Sequence, residues 1–126
     1  MIKILFVCHG NICRSPMAHY VLQDMVKKAG VADQFQITSV AVSREELGNP
    51  VYPPARRELH SHNVACDGHR ARQITRQDLE NYDRIYYMDS NNRRNLKRMF
   101  PDFENFTPFL SRDVADPWYS GDFTQT

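Results

Sequence analysis

The chain has 126 residues, 41% of them hydrophobic and 25% charged, and its 16 basic and 15 acidic side chains leave a formal net charge of +1. That length suits one domain, residues 1–126, with a single sizeable core, and the composition is ordinary for a globular protein. Near-neutral charge gives no ground for a nucleic-acid partner, and no apolar run approaches the ~20 residues of a membrane span.

The N-terminus, Met1-Ile2-Lys3, has no signal-peptide pattern. The three cysteines, Cys8, Cys13 and Cys66, are an odd number without zinc-site spacing, so a reducing, cytoplasmic setting is expected. Residues 2–7 are apolar apart from Lys3, as in a strand buried on both faces of a parallel sheet. Residues 8–15 form a tight loop, with Ser15 expected to cap a helix and Pro16 to hold its first position. In residues 16–29, Met17, Tyr20, Val21, Met25 and Val26 recur at helical spacing, and Gly30 supplies the stop. Residues 35–42 read as a second strand, which makes a βαβ unit with the loop at the carboxyl end of its first strand.

A loop with Gly48, Pro50, Pro53 and Pro54 as breakers leads to a short helix over 54–62. After a polar stretch, Thr75 and Asp78 form a capping-box variant that opens a helix to about residue 82. Residues 84–88 are a third strand. Ser90 is expected to cap a helix that Pro101 stops, and 106–110 a fourth, edge strand because of Pro108. The basic run Arg93-Arg94-Asn95-Leu96-Lys97-Arg98 reads as a solvated helix face. The expected fold is a three-layer α/β/α domain with a central parallel sheet of about four strands.

The residues at the first strand–helix junction carry chemistry. The first amides of a helix lack carbonyl partners and its dipole places partial positive charge there, so loop N–H groups converge into an anion cradle. Arg14 adds a planar fork suited to two phosphate oxygens. Such a field favours a thiolate at Cys8, the nucleophilic form of that side chain.

The string Val7-Cys8-His9-Gly10-Asn11-Ile12-Cys13-Arg14-Ser15-Pro16 resembles the active-site loop of the low-molecular-weight protein tyrosine phosphatases. The resemblance runs along essentially the whole chain. It implies hydrolysis of phosphotyrosine or other aryl phosphates through a cysteinyl-phosphate, with no metal and no cofactor. Cys8 would be the nucleophile and Arg14 the phosphate clamp, while His9, Gly10, Asn11, Ile12, Cys13 and Ser15 would complete the cradle. Asp113 and Asp116 both offer a carboxylic acid near Trp118 and Tyr119, and the family's general-acid loop implies Asp116, with the two aromatics walling the substrate slot. The family pattern also implies a left-handed Asn11 held by serine and histidine, with Ser15, Ser39 and His69 in support; Asp89, at the end of the third strand, is expected to orient His69. Its members with two loop cysteines imply a protective disulfide between Cys8 and Cys13.

Three departures from the family pattern bear on specificity and completeness. Ser39-Val40-Ala41-Val42 stands where relatives often have Ser-Ala-Gly-Thr, and Glu45 falls near where many relatives put an aromatic pocket wall. The chain ends about ten residues after Asp116, so the family's final helix is expected to be missing. His9, His19, His60 and His62 fit no metal spacing and read as surface residues; Cys66 reads as inert, and Tyr86 and Tyr87 as core. Expected partners are phosphotyrosine proteins or aryl phosphates, without nucleic acid or membrane, and the chain as a monomer or weak dimer. Arsenate reduction on the same cradle needs two further cysteines, whereas only Cys66 lies downstream. A non-catalytic oxyanion-binding module is the other alternative, disfavoured by the joint presence of Cys8 and Asp116.

Overall fold

The computed structural model describes residues 1–110. Four strands, β1 (Ile2–Cys8), β2 (Phe35–Ala41), β3 (Arg84–Tyr87) and β4 (Phe106–Pro108), form one sheet in the order β2-β1-β3-β4. Every neighbouring pair is parallel, with Cys8 opposite Ala41 and Val7 opposite both Val40 and Tyr87. The central position of β1 explains its unbroken apolar character, since both of its faces are covered.

Residues alternate between the two faces as the pleat requires. Leu5, Val7, Val40 and Ile85 pack on one side with Leu79 of α3 (Arg76–Asn81) and Leu96 of α4 (Ser90–Met99). Ile4, Phe6, Cys8 and Ile37 pack on the other with Val26 of α1 (Arg14–Lys28). A third cluster joins Met17 of α1 to Ala55 and Leu59 of α2 (Pro53–Ser61). Each fully buried aliphatic side chain here contributes about 1.5–3 kcal/mol relative to exposure.

The sheet-facing stripe of α1 is Ala18, Leu22 and Val26, while Val21 and Met25 are exposed. Both sets fit helical spacing, and only the position of the sheet decides between them. Gly30 does end the helix, at φ 76°, with its amide bonded to the Lys27 carbonyl and that of Val31 to the Val26 carbonyl. A short 3-10 turn, Ala32–Gln34, then leads into β2.

Several boundary expectations change: β2, β3 and β4 end at Ala41, Tyr87 and Pro108 rather than at 42, 88 and 110. Helix α1 begins at Arg14 with Cys13 as N-cap, so Ser15 is not the cap and Pro16 is the third helical residue. The Ser15 hydroxyl is committed to the loop instead of the helix amides. The cap of α4 is Asp89 rather than Ser90, because the Asp89 carboxylate accepts from the Asn92 amide and Asn92 answers it in a capping box. Helix α2 starts at Pro53, one residue early. The capping box at Thr75 forms with Asp78, and β4 is an edge strand.

Candidate active site

The strand order reverses between β1 and β3. The chain leaves β1 toward β2 on one side and leaves β3 toward β4 on the other, which opens a crevice at their carboxyl ends. Cys8 ends β1 at that crevice, and Asp89 follows β3 beside it.

Cys8 is 3% exposed, and its sulfur is ringed by donors. The amides of Asn11 and Ser15 donate to Sγ at 3.3 and 3.4 Å, and the Ser15 hydroxyl lies 3.0 Å away. Asn11 Nδ2 donates to Ser15 Oγ at 2.8 Å, so the single hydroxyl proton is left for Sγ or for the Val40 carbonyl at 3.4 Å. Once the sulfur is anionic, the nearer and stronger acceptor is Sγ. The donors support negative charge on that atom.

Asn11 is the residue on which the loop turns. Its φ is 61°, a conformation that asparagine tolerates better than most, and it is fully buried. Four bonds hold it. Its amide and side-chain NH2 bond Cys8 and Ser15, the Arg72 amide donates to its Oδ1 at 3.3 Å, and His69 Nε2 donates to its carbonyl at 2.8 Å. Burial holds the His69 pKa below the ordinary value, against the opposing pull of that bond, and the neighbouring Arg70 adds to the lowering. The next carbonyl, that of Ile12, accepts the Tyr52 amide at 2.9 Å. The cradle is thus fastened from outside by two further segments.

Arg14 is 3% exposed, and its Nη1 donates to Asp89 Oδ2 at 2.7 Å. Asp89 therefore orients Arg14 and not His69, since its other oxygen caps α4. Ser39 likewise departs from its expected place. It bonds His19 Nδ1 at 3.0 Å, and His19 stacks on Tyr20, whose ring meets His69 edge-on at 5.7 Å. His19 is therefore no surface residue. Burial, with His69 close by, lowers its pKa to about 4.

Arg72 contributes its backbone to Asn11 while its guanidinium grips Asp78 through two 2.9 Å bonds. Burial pushes the Asp78 carboxyl up, but Arg72 and the Thr75 amide and hydroxyl outweigh it and hold the pKa below the ordinary range. At the mouth, His9 Nε2 meets Glu45 Oε2 at 3.0 Å, and a β-carbon on Gly10 would lie 3.4 Å from the Glu46 side chain. Ile12 and Cys13 are buried against Ala71. Cys66 is buried in the α2 cluster, where burial pushes its thiol up. Tyr86 and Tyr87 are half-buried against the two core clusters.

Asp113, Asp116, Trp118 and Tyr119 lie outside the described residues. Among the described residues no group of three His, Cys, Asp or Glu side chains is placed to hold a metal ion, and no helix is long and apolar enough to cross a membrane. Sequence reasoning missed the roles of Asp89, the Arg72 amide, the Tyr52 amide and His19. For Asp89 a signal existed, because a carboxylate just after β3 must fall beside the end of β1 in a parallel sheet.

A model of the family described as low molecular weight phosphotyrosine protein phosphatase matches residues 3–126. The low molecular weight protein-tyrosine-phosphatase YfkJ of Bacillus subtilis is 36% identical, over 99% of this chain and 86% of that protein. Its crystal structure superposes with a TM-score of 0.93 at 34% identity, over 99% of this chain and 84% of that one. SP-PTP, a low molecular weight protein tyrosine phosphatase from Streptococcus pyogenes, superposes with a TM-score of 0.92 at 38% identity, over 99% of this chain and 83% of that one.

Proposed function

Because this chain belongs to the low molecular weight phosphotyrosine protein phosphatase family, we propose that it hydrolyses phosphotyrosine and related aryl phosphate monoesters with Cys8 as nucleophile. The observation that carries the reading is the ring of donors on Cys8 Sγ, from the Asn11 and Ser15 amides and the Ser15 hydroxyl, on the loop that also carries the buried Arg14. Donors fixed in place stabilise the charge that returns to Sγ when the cysteinyl-phosphate is hydrolysed, without reorganising at that moment.

In the proposed mechanism Cys8 Sγ attacks phosphorus in line with the ester oxygen, while cradle amides and Arg14 hold the equatorial oxygens. The phosphorus–oxygen bond to the phenol breaks as Asp116 protonates the leaving oxygen. Water, deprotonated by Asp116, then attacks the cysteinyl-phosphate, releasing phosphate and the Cys8 thiolate. Departure of that thiolate is eased by the Ser15 hydroxyl turning to it. Trp118 and Tyr119 flank the substrate ring, and Glu45 disfavours acidic residues beside the phosphotyrosine. We assign the activity to a reducing cytoplasm and to a monomer or weak dimer, with phosphotyrosine proteins as its partners.

The test is a steady-state assay with p-nitrophenyl phosphate and a phosphotyrosine peptide in the presence of a chelator. Wild type turns over both. Cys8→Ser falls to background yet still binds phosphate or vanadate, and turnover by Cys8→Ser near the wild-type rate overturns the assignment.

A further inference from the structure

Outside the cradle, the structure holds an open cleft of about 480 Å³ between α2 and the segment that carries His69. Ligand pockets typically span ~300–1,000 Å³, so its size suits a small molecule. One side of α2 builds one wall. Pro53, Arg56, Arg57 and His60 recur at spacings of three and four and line the cleft, while Ala55 and Leu59 turn inward to the core. Pro50 and Val51 supply an apolar floor, and Arg70 faces α2 from the other side. Three arginines thus line the cleft beside this apolar surface, and Arg70 Nη1 donates to the His69 carbonyl at 2.8 Å. Asp67 is the one carboxylate among the described lining residues; it is 77% exposed and 3.5 Å from Arg56, a loose pair that a better acceptor displaces.

The cleft is wired to the cradle. Tyr52, between the lining residues Val51 of the floor and Pro53 of the α2 wall, donates its amide to the Ile12 carbonyl at 2.9 Å. His69, a lining residue, donates to the Asn11 carbonyl at 2.8 Å. The two supporting segments are themselves tied together, since the Ala71 amide bonds the Asn49 carbonyl and the Gly48 amide bonds the Ala71 carbonyl, each at 2.8 Å. Two consecutive cradle carbonyls are therefore held by the walls of one cleft.

We infer that this cleft is an effector site for a small organic polyanion, a compact carbon frame bearing two or more carboxylate or phosphate groups, which stabilises the closed cradle through His69 and Tyr52. Guanidiniums recognise such groups bidentately, and the Pro50–Val51 floor takes the carbon frame. A ligand favouring the formed clamp shifts the cradle toward it, and the linkage is reciprocal. Binding is independent of the phosphatase reading; the effect on turnover rests on it.

The test is a titration of the 15N-labelled full chain with benzene-1,3,5-tricarboxylate, whose planar carboxylates do not match a tetrahedral cradle. The expected result is saturable shifts at the amides of Val51, Arg57, Gly68 and Arg70, weakened about tenfold or more in Arg56→Gln/Arg57→Gln. Arg70→Gln alone gives the same direction should the double variant fold poorly. Inorganic triphosphate, charged but without a carbon frame, and benzoate, a frame with one charge, both bind more weakly. One equivalent of vanadate in the cradle tightens tricarboxylate binding about fivefold, within the usual range of coupling. Shifts confined to residues 8–15, no saturation by about 10 mM, or unchanged affinity in both variants overturns the site. Triphosphate binding as tightly as tricarboxylate overturns the role of the floor, and equal affinity with and without vanadate overturns the coupling. No turnover is read in these titrations. A chain that binds tricarboxylate but cleaves no aryl phosphate refutes the phosphatase reading alone, and the converse refutes the cleft alone.

Discussion

Asp89 accepts a 2.7 Å hydrogen bond from Arg14, two residues 75 positions apart that meet because β1 and β3 are parallel neighbours. The Arg14 side chain is 3% exposed and that of Asp89 16%, so this pair is well shielded from water. It sets the height and tilt of the guanidinium before substrate arrives.

Removing that partner has a kinetic signature. Asp89→Asn keeps an oxygen able to cap α4 but loses the charge opposite Arg14. We expect kcat/KM for p-nitrophenyl phosphate to fall about tenfold or more, equal to ~1.4 kcal/mol of transition-state stabilisation. Steady-state kinetics beside a thermal melt checks this. A lower Tm with unchanged kcat/KM would make the pair merely structural.

Asn11 separates backbone strain from hydrogen bonding. Asn11→Gly accepts φ 61° freely but gives up the side-chain bonds to Ser15 and to the Arg72 amide, whereas Asn11→Ala also takes on the strain. At about 1 kcal/mol per bond, and roughly 0.5–1 kcal/mol more for the alanine conformation, the alanine variant is the less stable of the two. Urea unfolding of both variants measures the difference, and equal stabilities would show that the loop relaxes away from φ > 0.

Stability also depends on pH through two imidazoles, the buried His69 and the partly buried His19. Folded-state pKa values lie below the ordinary 6.5 for both, about 4 for His19 and lowered for His69. Between those limits the unfolded chain binds more protons than the folded one. The stability is therefore complete above pH 6.5 and is lost as pH falls toward 4, by at most about 1.4 kcal/mol per pH unit for each group. Urea midpoints at pH 7.5 and 5 should differ more in wild type than in His19→Gln. The same difference in both proteins would exclude His19 as a source.

The general acid is tested by the leaving group. Asp116→Asn slows esters of poorly acidic phenols by ~10²–10⁴-fold, the usual range for general acid–base catalysis, and slows activated aryl esters less. A leaving-group series measures the slope. Equal losses throughout, or a larger loss from Asp113→Asn, would move the role away from Asp116.

Cys13 offers a redox test. Peroxide converts a thiolate to a sulfenic acid, which a neighbouring thiol traps as a disulfide. Both cysteines are buried in this structure, and Cys13 packs with Ile12 and Ala71. Cys13→Ser is expected to turn over substrate yet fail to recover when thiol is added after peroxide. Full recovery of that variant would leave Cys13 a packing residue.

How much of this was legible in the chain differs from element to element. The run 2–7, the capping pair Thr75 and Asp78, the Gly30 stop and the Cys8–Ser15 loop are local signals, in which neighbouring residues satisfy one another's backbone groups or repeat with a fixed period. Such features survive in any context, and the α/β class follows from their alternation. Which stripe of α1 is buried, where Asp89 points, what Ser39 bonds and why His19 is shielded depend on separations of 20 to 75 residues, closed only when β2 and β3 flank β1 in the parallel sheet and α1 packs on it. Hydrogen bonds and burial act over a few ångströms in space, whatever the distance along the chain. The proposed nucleophile and clamp, Cys8 and Arg14, were therefore readable from one short string, while the partners that hold them in place were decided by the fold.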